Sequence, residues 1–176
     1  MTAADVWLFT GIPGAGKTTT ARRLAERLGR GVHLDGDHLQ TFIRSGAAWP
    51  GHEPAEEAER QIRLNIRNQC LLARSYHAAG FSPVFDYVVS TRARLAGFVE
   101  QLAPLRLKVV VLAPGRGVAL ERDRLRSDKT VGDRWAYLDD VLRRELSNAG
   151  RWIDNRTLSV DEVVDLLLAE QGNDRH

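Results

Sequence analysis

Cysteine is nearly absent from this sequence, which contains a single one, Cys70, among 176 residues. One cysteine cannot form an internal disulfide, so a disulfide-stapled secreted scaffold is excluded and a reducing, cytoplasmic location is expected. Because Cys70 lies in an apolar stretch, we expect its thiol to be a small buried hydrophobe and not a nucleophile.

The sequence also lacks a long hydrophobic run and an excess of charge of one sign. Its longest apolar segment, Val109–Ala113, is too short to cross a bilayer. The 25 basic and 23 acidic residues give a net charge of +2, and the arginines are scattered along the chain. Neither a membrane nor a nucleic acid is therefore expected as a partner. The length predicts a single domain over residues 1–170 and a short tail over residues 171–176.

Apolar segments with the periods of strands and helices alternate along the chain. The predicted strands are Val6–Thr10, Val32–Leu34, Pro83–Phe85, Leu107–Leu112 and Trp152–Ile153. The predicted helices are Lys17–Leu28, Pro54–Ala79, Arg92–Leu102, one from about Val118, one ending near Leu146, and Val160–Ala169. Ser159 and Glu162 form a capping-box pattern before the last helix. The alternation predicts an α/β fold with three layers, in which helices cover both faces of a five-stranded parallel sheet.

One glycine-rich segment fits the P-loop pattern G-x-x-x-x-G-K-[ST] at every fixed position. Its glycines let backbone N–H groups turn onto phosphate oxygens, Lys17 brings a positive charge to the β- and γ-phosphates, and Thr18 offers a hydroxyl to magnesium. The segment follows a predicted strand and opens a helix, whose N-terminus favours an anion. The residues predicted to bind a nucleoside triphosphate here are Gly11, Pro13, Gly14, Ala15, Gly16, Lys17, Thr18 and Thr19.

Two aspartates, Asp35 and Asp37, follow the second predicted strand. Carboxyl ends of parallel strands line the ligand crevice, and we expect this strand to lie next to the one that feeds the P-loop. One carboxylate can accept a proton from an attacking hydroxyl, and the other can face magnesium. The alternative is a helix cap. Asp86, at the end of the third strand, holds a magnesium-bound water, grips the acceptor or forms a turn.

A basic stretch between the last two predicted strands is a candidate for a mobile lid. It contains Arg122, Arg124, Arg126, Lys129 and Arg134. Such a lid can neutralise the charge that phosphoryl transfer spreads over the equatorial oxygens, and we assign that role to Arg126 and Arg134. The alternative is an ordinary solvated helix surface.

The P-loop together with Leu34-Asp35-Gly36-Asp37 resembles the P-loop small-molecule kinases, a group that includes shikimate kinase, gluconate kinase, adenylyl-sulfate kinase and chloramphenicol phosphotransferase. The resemblance implies ATP and Mg²⁺ as cofactors, Asp35 on the magnesium side and Asp37 as the base. It also implies that Arg122 lies against the adenine and that the segment from Asp154 to Arg156 lies beside it. The segments implied to form the acceptor pocket contain Arg44, Trp49, Arg63, Arg67, Asp86 and Tyr87.

The leading hypothesis is therefore an ATP- and Mg²⁺-dependent kinase that phosphorylates a hydroxyl of a small molecule, either a metabolite or an antibiotic, as a monomer or homodimer. A polynucleotide 5′-hydroxyl kinase is one alternative. A nucleoside monophosphate kinase is another, since Arg63, Arg67, Arg92 and Arg94 could face an acceptor phosphate. The non-enzyme alternative is an ATP-dependent switch. A GTPase is not expected because the sequence has no N-K-x-D guanine-reading motif.

Overall fold

A computed structural model of the chain describes residues 5–51, 53–125 and 137–173, with side chains described up to residue 170. Its centre is a five-stranded sheet in which every neighbouring pair of strands is parallel. The strands are β1 (Val6–Thr10), β2 (Gly31–Asp35), β3 (Ser82–Asp86), β4 (Leu107–Leu112) and β5 (Arg151–Ile153). The predicted five-stranded parallel sheet is confirmed.

Helices connect the strands. They are α1 (Lys17–Arg27), α2 (Gly36–Gln40), α3 (Ala55–Ala78), α4 (Arg92–Leu102), α5 (Arg116–Arg124), α6 (Leu138–Leu146) and α7 (Val160–Asn173). The capping box of α7 is present, because the Ser159 amide donates to Glu162 Oε2 at 2.7 Å and the Glu162 amide donates to Ser159 Oγ at 3.2 Å. Helix α7 runs beyond its predicted end and into the predicted tail. Glu170 forms an ion pair with Arg151 of β5, which ties this last part of the helix to the sheet.

The strand order is β2-β3-β1-β4-β5. The expectation that β2 lies next to the P-loop strand β1 is therefore wrong, because β3 lies between them. In the β2–β3 register Asp35 pairs with Asp86, and in the β1–β3 register Phe9 pairs with Asp86. As a result, Asp86 is the acidic residue at the end of the strand that neighbours β1, and Asp35 lies one strand further away.

Helices pack on both faces of the sheet, and alternate residues of β1 divide between the two cores. Trp7 and Phe9 belong to one core, together with apolar residues of α1, α6 and α7. Val6 and Leu8 belong to the other, together with apolar residues of α3 and α4. Cys70 of α3 is 1% exposed, and burial raises the pKa of its thiol to about 12, as expected for a packing residue. Within the described ranges, no helix has both the length and the apolar character that a membrane span requires.

Candidate active site

The P-loop follows β1 and ends at the N-terminus of α1. Gly16 adopts the left-handed conformation with φ 95°, and no side chain caps the helix. The first turn of α1 contains no acidic residue of its own. The Lys17 ammonium lies over the loop and donates to the Ile12 carbonyl at 3.1 Å. This geometry fits an anion, although the Ala15 amide, one of those predicted to face phosphate, donates to the Ile12 carbonyl at 3.1 Å.

Glycine is required at position 14 by a close backbone approach. The residue has φ +79°, and a Cβ atom built there would lie 2.0 Å from the carbonyl oxygen of Ala119 in α5. Side chains rarely adopt this φ, and the clash is with backbone that cannot move aside. The loop therefore packs directly against α5, which fixes the floor of the phosphate cradle.

Beside the cradle, Thr18 and Asp86 form the side that fits a magnesium ion. The Thr18 hydroxyl donates to Asp86 Oδ1 at 3.3 Å, and His33 Nε2 lies 2.8 Å from Asp86 Oδ2. Asp86 is 4% exposed, so β2 and β3 hold its carboxylate in one orientation. Magnesium in phosphoryl-transfer sites takes one or two carboxylates besides phosphate oxygens and water, and the Asp86 carboxylate with the Thr18 hydroxyl fits the protein side of such a site.

The two aspartates of the D-x-D motif separate in the structure. Asp35 Oδ1 accepts a hydrogen bond from the His38 amide at 2.9 Å, so this side chain caps α2. Asp37 lies in the first turn of α2 and is exposed at the wall of a cavity that Pro13 of the P-loop also lines. The sequence allows either a helix cap or a chemical role for these aspartates, and in the structure Asp35 is the residue that caps the helix.

A cavity of about 330 Å³ lies between the P-loop and the segment that follows β5. Its size and position fit the nucleoside part of a nucleotide. Gly14, Gly16 and Thr19 form its loop side, and Arg122 and Asn155 form its opposite wall.

Arg122 Nη2 donates to the carbonyl groups of Asn155 at 3.0 Å and Arg156 at 3.2 Å, which holds it at this cavity. Asn155 is 5% exposed and its Nδ2 donates to the Ala15 carbonyl at 3.0 Å, while its buried Oδ1 has no hydrogen-bond partner. An unsatisfied buried acceptor at this position fits a ligand with an N–H donor. Asp154 does not line the cavity. It pairs with Arg156, whose hydrogen bond lowers the pKa of the Asp154 carboxyl.

A second and larger cavity, of about 620 Å³, lies on the side of Asp37. Its walls come from the P-loop, α2, the segment before α3, α3 itself, the segment after β3, α4 and α6. The lining residues are Pro13, Asp37, Gln40, Trp49, Pro50, Gly51, Glu53, Ala55, Ala58, Glu59, Ile62, Tyr87, Val88, Ser90, Arg94, Tyr137, Leu138 and Val141. The structure thus brings Asp37, Trp49 and Tyr87 together, as the sequence predicted.

Other predicted residues lie elsewhere. Arg63 and Arg67 are exposed on α3 and do not line either cavity, because the same helix turns Ile62 and Ile66 inward. Arg44 is exposed and lines neither cavity. Arg126 and Arg134, assigned to the lid, lie outside the described residues, as does Lys129.

A chain of buried amide side chains holds the Asp37 side of the site, and sequence reasoning missed it. Asn65 Nδ2 donates to the Gly36 carbonyl, next to Asp37, at 2.8 Å, and to Gln40 Oε1 at 3.3 Å. Gln40 Nε2 donates to Gln61 Oε1 at 2.9 Å, and the Ala48 amide donates to the same oxygen at 2.8 Å.

These residues are 6% exposed or less, so their hydrogen bonds are shielded from water. The chain therefore fixes α2, which carries Asp37, and the segment that carries Trp49 against α3.

We expect Asn65→Leu to lower the free energy of unfolding by about 1–3 kcal/mol, because the Gly36 carbonyl, Gln40 Oε1 and Gln69 Nε2 each lose the buried hydrogen bond that Asn65 supplies. Asn68→Leu is the matched control, since Asn68 is exposed on the same helix and its replacement should change stability by less than about 0.5 kcal/mol. Urea unfolding of both variants measures the difference. Equal stabilities would show that the amide chain does not hold this part of the fold.

Comparison with known proteins places the chain in a family. The profile of a family described as AAA domain matches residues 6–151, most of the chain. The protein belongs to this family, and the resemblance to P-loop kinases predicted from the sequence is confirmed.

Two curated relatives carry the name adenylyl-sulfate kinase. The Picosynechococcus protein is 36% identical over 103 residues, which are 54% of this chain and 55% of the relative. The protein of Aeropyrum pernix, named a probable adenylyl-sulfate kinase, is 38% identical over 78 residues, which are 40% of this chain and 42% of the relative. The chain thus matches about half the length of these relatives.

Among solved structures, the tunicamycin resistance protein of Deinococcus radiodurans matches with a TM-score of 0.66 and 21% identity, covering 96% of each chain. A likeness at this identity concerns the fold, and it confirms the predicted P-loop fold over nearly the whole chain.

Proposed function

We propose that this protein is an ATP- and Mg²⁺-dependent phosphotransferase that moves the γ-phosphoryl group to a hydroxyl of a small molecule. The observation that carries the proposal is the shared cavity of Pro13 and Asp37. It brings a carboxylate to the same space as the P-loop, so that an acceptor hydroxyl can meet both a base and the end of the triphosphate. A bare ATP-dependent switch needs no such cavity.

Each residue of the site has a part in this chemistry. The P-loop backbone and Lys17 hold the β- and γ-phosphates, and Lys17 offsets the negative charge that develops on the transferred group. Asp37 orients the acceptor hydroxyl and accepts its proton as the oxygen attacks. Arg122 and Asn155 bind the nucleoside side of ATP. Mg²⁺ held beside Thr18 and Asp86 would supply positive charge that offsets part of the charge of the phosphate groups.

For the metal we assign Thr18 and Asp86, with His33 orienting the Asp86 carboxylate. The sequence favoured Asp35 for this role. The contact between the Thr18 hydroxyl and Asp86 supports the new assignment, whereas Asp35 lies one strand further from the P-loop strand and caps α2. Asp35 then acts through the cap of α2, which carries Asp37.

Magnesium titrations separate the two aspartates. We expect Asp86→Asn to raise the Mg²⁺ concentration needed for tight ATP binding by about 10–100-fold, because a weaker ligand replaces a carboxylate in the metal's surroundings. Asp35→Asn should leave that concentration nearly unchanged. Calorimetric measurement of ATP affinity at a series of Mg²⁺ concentrations gives both values without relying on turnover. A shift confined to Asp35→Asn would return the metal role to Asp35.

The test of the function itself is transfer of labelled γ-phosphate from ATP to members of a panel of sugars, nucleosides, amino alcohols and hydroxyl-bearing antibiotics. The expected result is a labelled product that forms with some acceptors and requires Mg²⁺. Release of phosphate to water at one rate, whatever the acceptor, would contradict the proposal and favour the switch.

Adenylyl sulfate belongs in the same panel as a second candidate acceptor. The names of the two curated relatives favour it, at 36% and 38% identity over about half of their length. Phosphoryl transfer to adenylyl sulfate would also be to a hydroxyl group, so the proposed roles of Lys17 and Asp37 would be unchanged.

A further inference from the structure

The larger cavity has a composition that selects among acceptors. At about 620 Å³ it falls within the range of roughly 300–1,000 Å³ typical of sites for drug-sized molecules. Its walls include the aromatic side chains Trp49 and Tyr87 and the aliphatic side chains Ile62, Val88 and Val141. A site with this lining gains most from a ligand that presents an apolar, flat face.

The charged residues that the structure describes along the cavity are mostly acidic. Asp37, Glu53 and Glu59 supply three carboxylates, and Arg94 is the one cationic residue that the structure describes along the wall. Arg94 is engaged by protein groups: one guanidinium nitrogen pairs with Glu59, and another donates to Ser90 Oγ at 2.9 Å. An anionic acceptor would have to displace Glu59 from Arg94 and would face the remaining carboxylates.

Tyr87 lines the same cavity and is close enough to Asp37 and Arg94 for both charges to affect its hydroxyl. Burial raises the pKa of its hydroxyl to about 12, and the carboxylate of Asp37 raises it further than the guanidinium of Arg94 lowers it. The phenol therefore stays protonated across the physiological range. It offers the cavity one neutral hydroxyl that can donate or accept a hydrogen bond.

We propose that the acceptor is an uncharged hydroxyl compound that carries an apolar ring or face. This inference rests on the proposed phosphotransferase function and narrows its substrate class. It separates this protein from its named relatives, because adenylyl sulfate is an anion. It also disfavours a nucleoside monophosphate kinase, whose acceptor phosphate needs several free cationic groups.

A matched pair of ligands tests the charge preference directly. Phenyl β-D-glucoside and phenyl β-D-glucuronide share a ring and a sugar, and only the second carries a carboxylate. With ADP and Mg²⁺ bound to the intact protein, calorimetry should give an affinity for the glucoside at least about tenfold higher. Equal affinities, tighter binding of the glucuronide, or no binding of either compound at millimolar concentration would each overturn the proposal.

Glu59→Gln tests whether Glu59 is what excludes anions. The substitution keeps the shape of the side chain but frees the Arg94 guanidinium to bind a carboxylate. The preference for the glucoside over the glucuronide should fall by about tenfold. Glu56→Gln is the matched control, because Glu56 is exposed on the same helix outside the cavity and should leave the preference unchanged. An unchanged preference in Glu59→Gln would contradict the proposal.

These measurements do not depend on phosphoryl transfer, so the two proposals can fail separately. If the protein bound the uncharged glucoside more tightly but formed no labelled product with any acceptor, the phosphotransferase function would be contradicted and the ligand preference of the cavity would still be supported. Labelled product from adenylyl sulfate, at a rate matching that of uncharged alcohols, would keep the function and overturn the substrate class.

Discussion

Lys17→Ala is expected to lower phosphoryl transfer by about 10²–10³-fold while leaving the fold intact. Lys17 is half-buried and its ammonium group lies over the P-loop, where the proposed function puts the β- and γ-phosphates. Removing it deletes an electrostatic contact that strengthens as charge moves to the transferred group. The side chain contributes little to either core, so we expect the thermal midpoint to stay within a few degrees of the wild type.

Arg22→Ala provides the matched control for this prediction. Arg22 is an exposed cationic residue of the same helix that lines neither cavity, and its loss should change neither rate nor stability. Initial rates with the acceptor found in the panel and thermal unfolding by circular dichroism measure both properties. Near-native transfer by Lys17→Ala would remove the P-loop from the mechanism. Unfolding of the variant would mean that Lys17 has a structural role instead.

Local pattern was sufficient to predict the parts of the fold that depend on local interactions. The strand Val6–Thr10, the strand Leu107–Leu112 and the helix Arg92–Leu102 have the predicted bounds. In each case the apolar pattern within the segment is enough to indicate a buried strand or helix, without information about its neighbours. The P-loop could be predicted for the same reason, because its motif consists of consecutive residues.

The order of the strands could not be predicted in this way. Periodicity shows that a segment is a strand, but packing of distant segments decides which strand is its neighbour. The insertion of β3 between β1 and β2 moves Asp86, and not Asp35, beside Thr18. The position of Asp35 in the sequence therefore could not show which aspartate lies beside Thr18, because that depends on the order of the strands.

The buried polar residues of α3 were missed for a different reason. Gln61, Asn65 and Gln69 have the side-chain types of a solvated helix face, and sequence gives no direct sign of burial for such residues. The spacing of Ile62 and Ile66 does place Asn65 and Gln69 near the inner side, and Arg63 and Arg67 away from it. Attention to this angular position would have favoured the amides over the arginines as residues of the site.

Asp37→Asn is expected to lower the rate of transfer by about 10²–10⁴-fold with little change in ATP affinity. The carboxylate lies at the wall of the acceptor cavity, in the first turn of α2, and the amide replacement keeps its size and hydrogen bonding while removing the base. In the proposed site ATP binds through the P-loop and the cavity of Arg122 and Asn155, and Asp37 does not line that cavity. Single-turnover rates and calorimetric ATP binding measure the two effects separately.

The control for Asp37→Asn is Asp140→Asn, an exposed aspartate in the first turn of α6 that lines neither cavity and should keep the wild-type rate. Because Asp35 caps the helix that carries Asp37, Asp35→Asn should lower the rate less than Asp37→Asn does. A larger rate loss in Asp35→Asn, with Asp37→Asn shifting only the response to Mg²⁺, would reverse the two roles. Near-native rates in both variants would show that transfer needs no carboxylate base at either position, and would contradict the role proposed for Asp37.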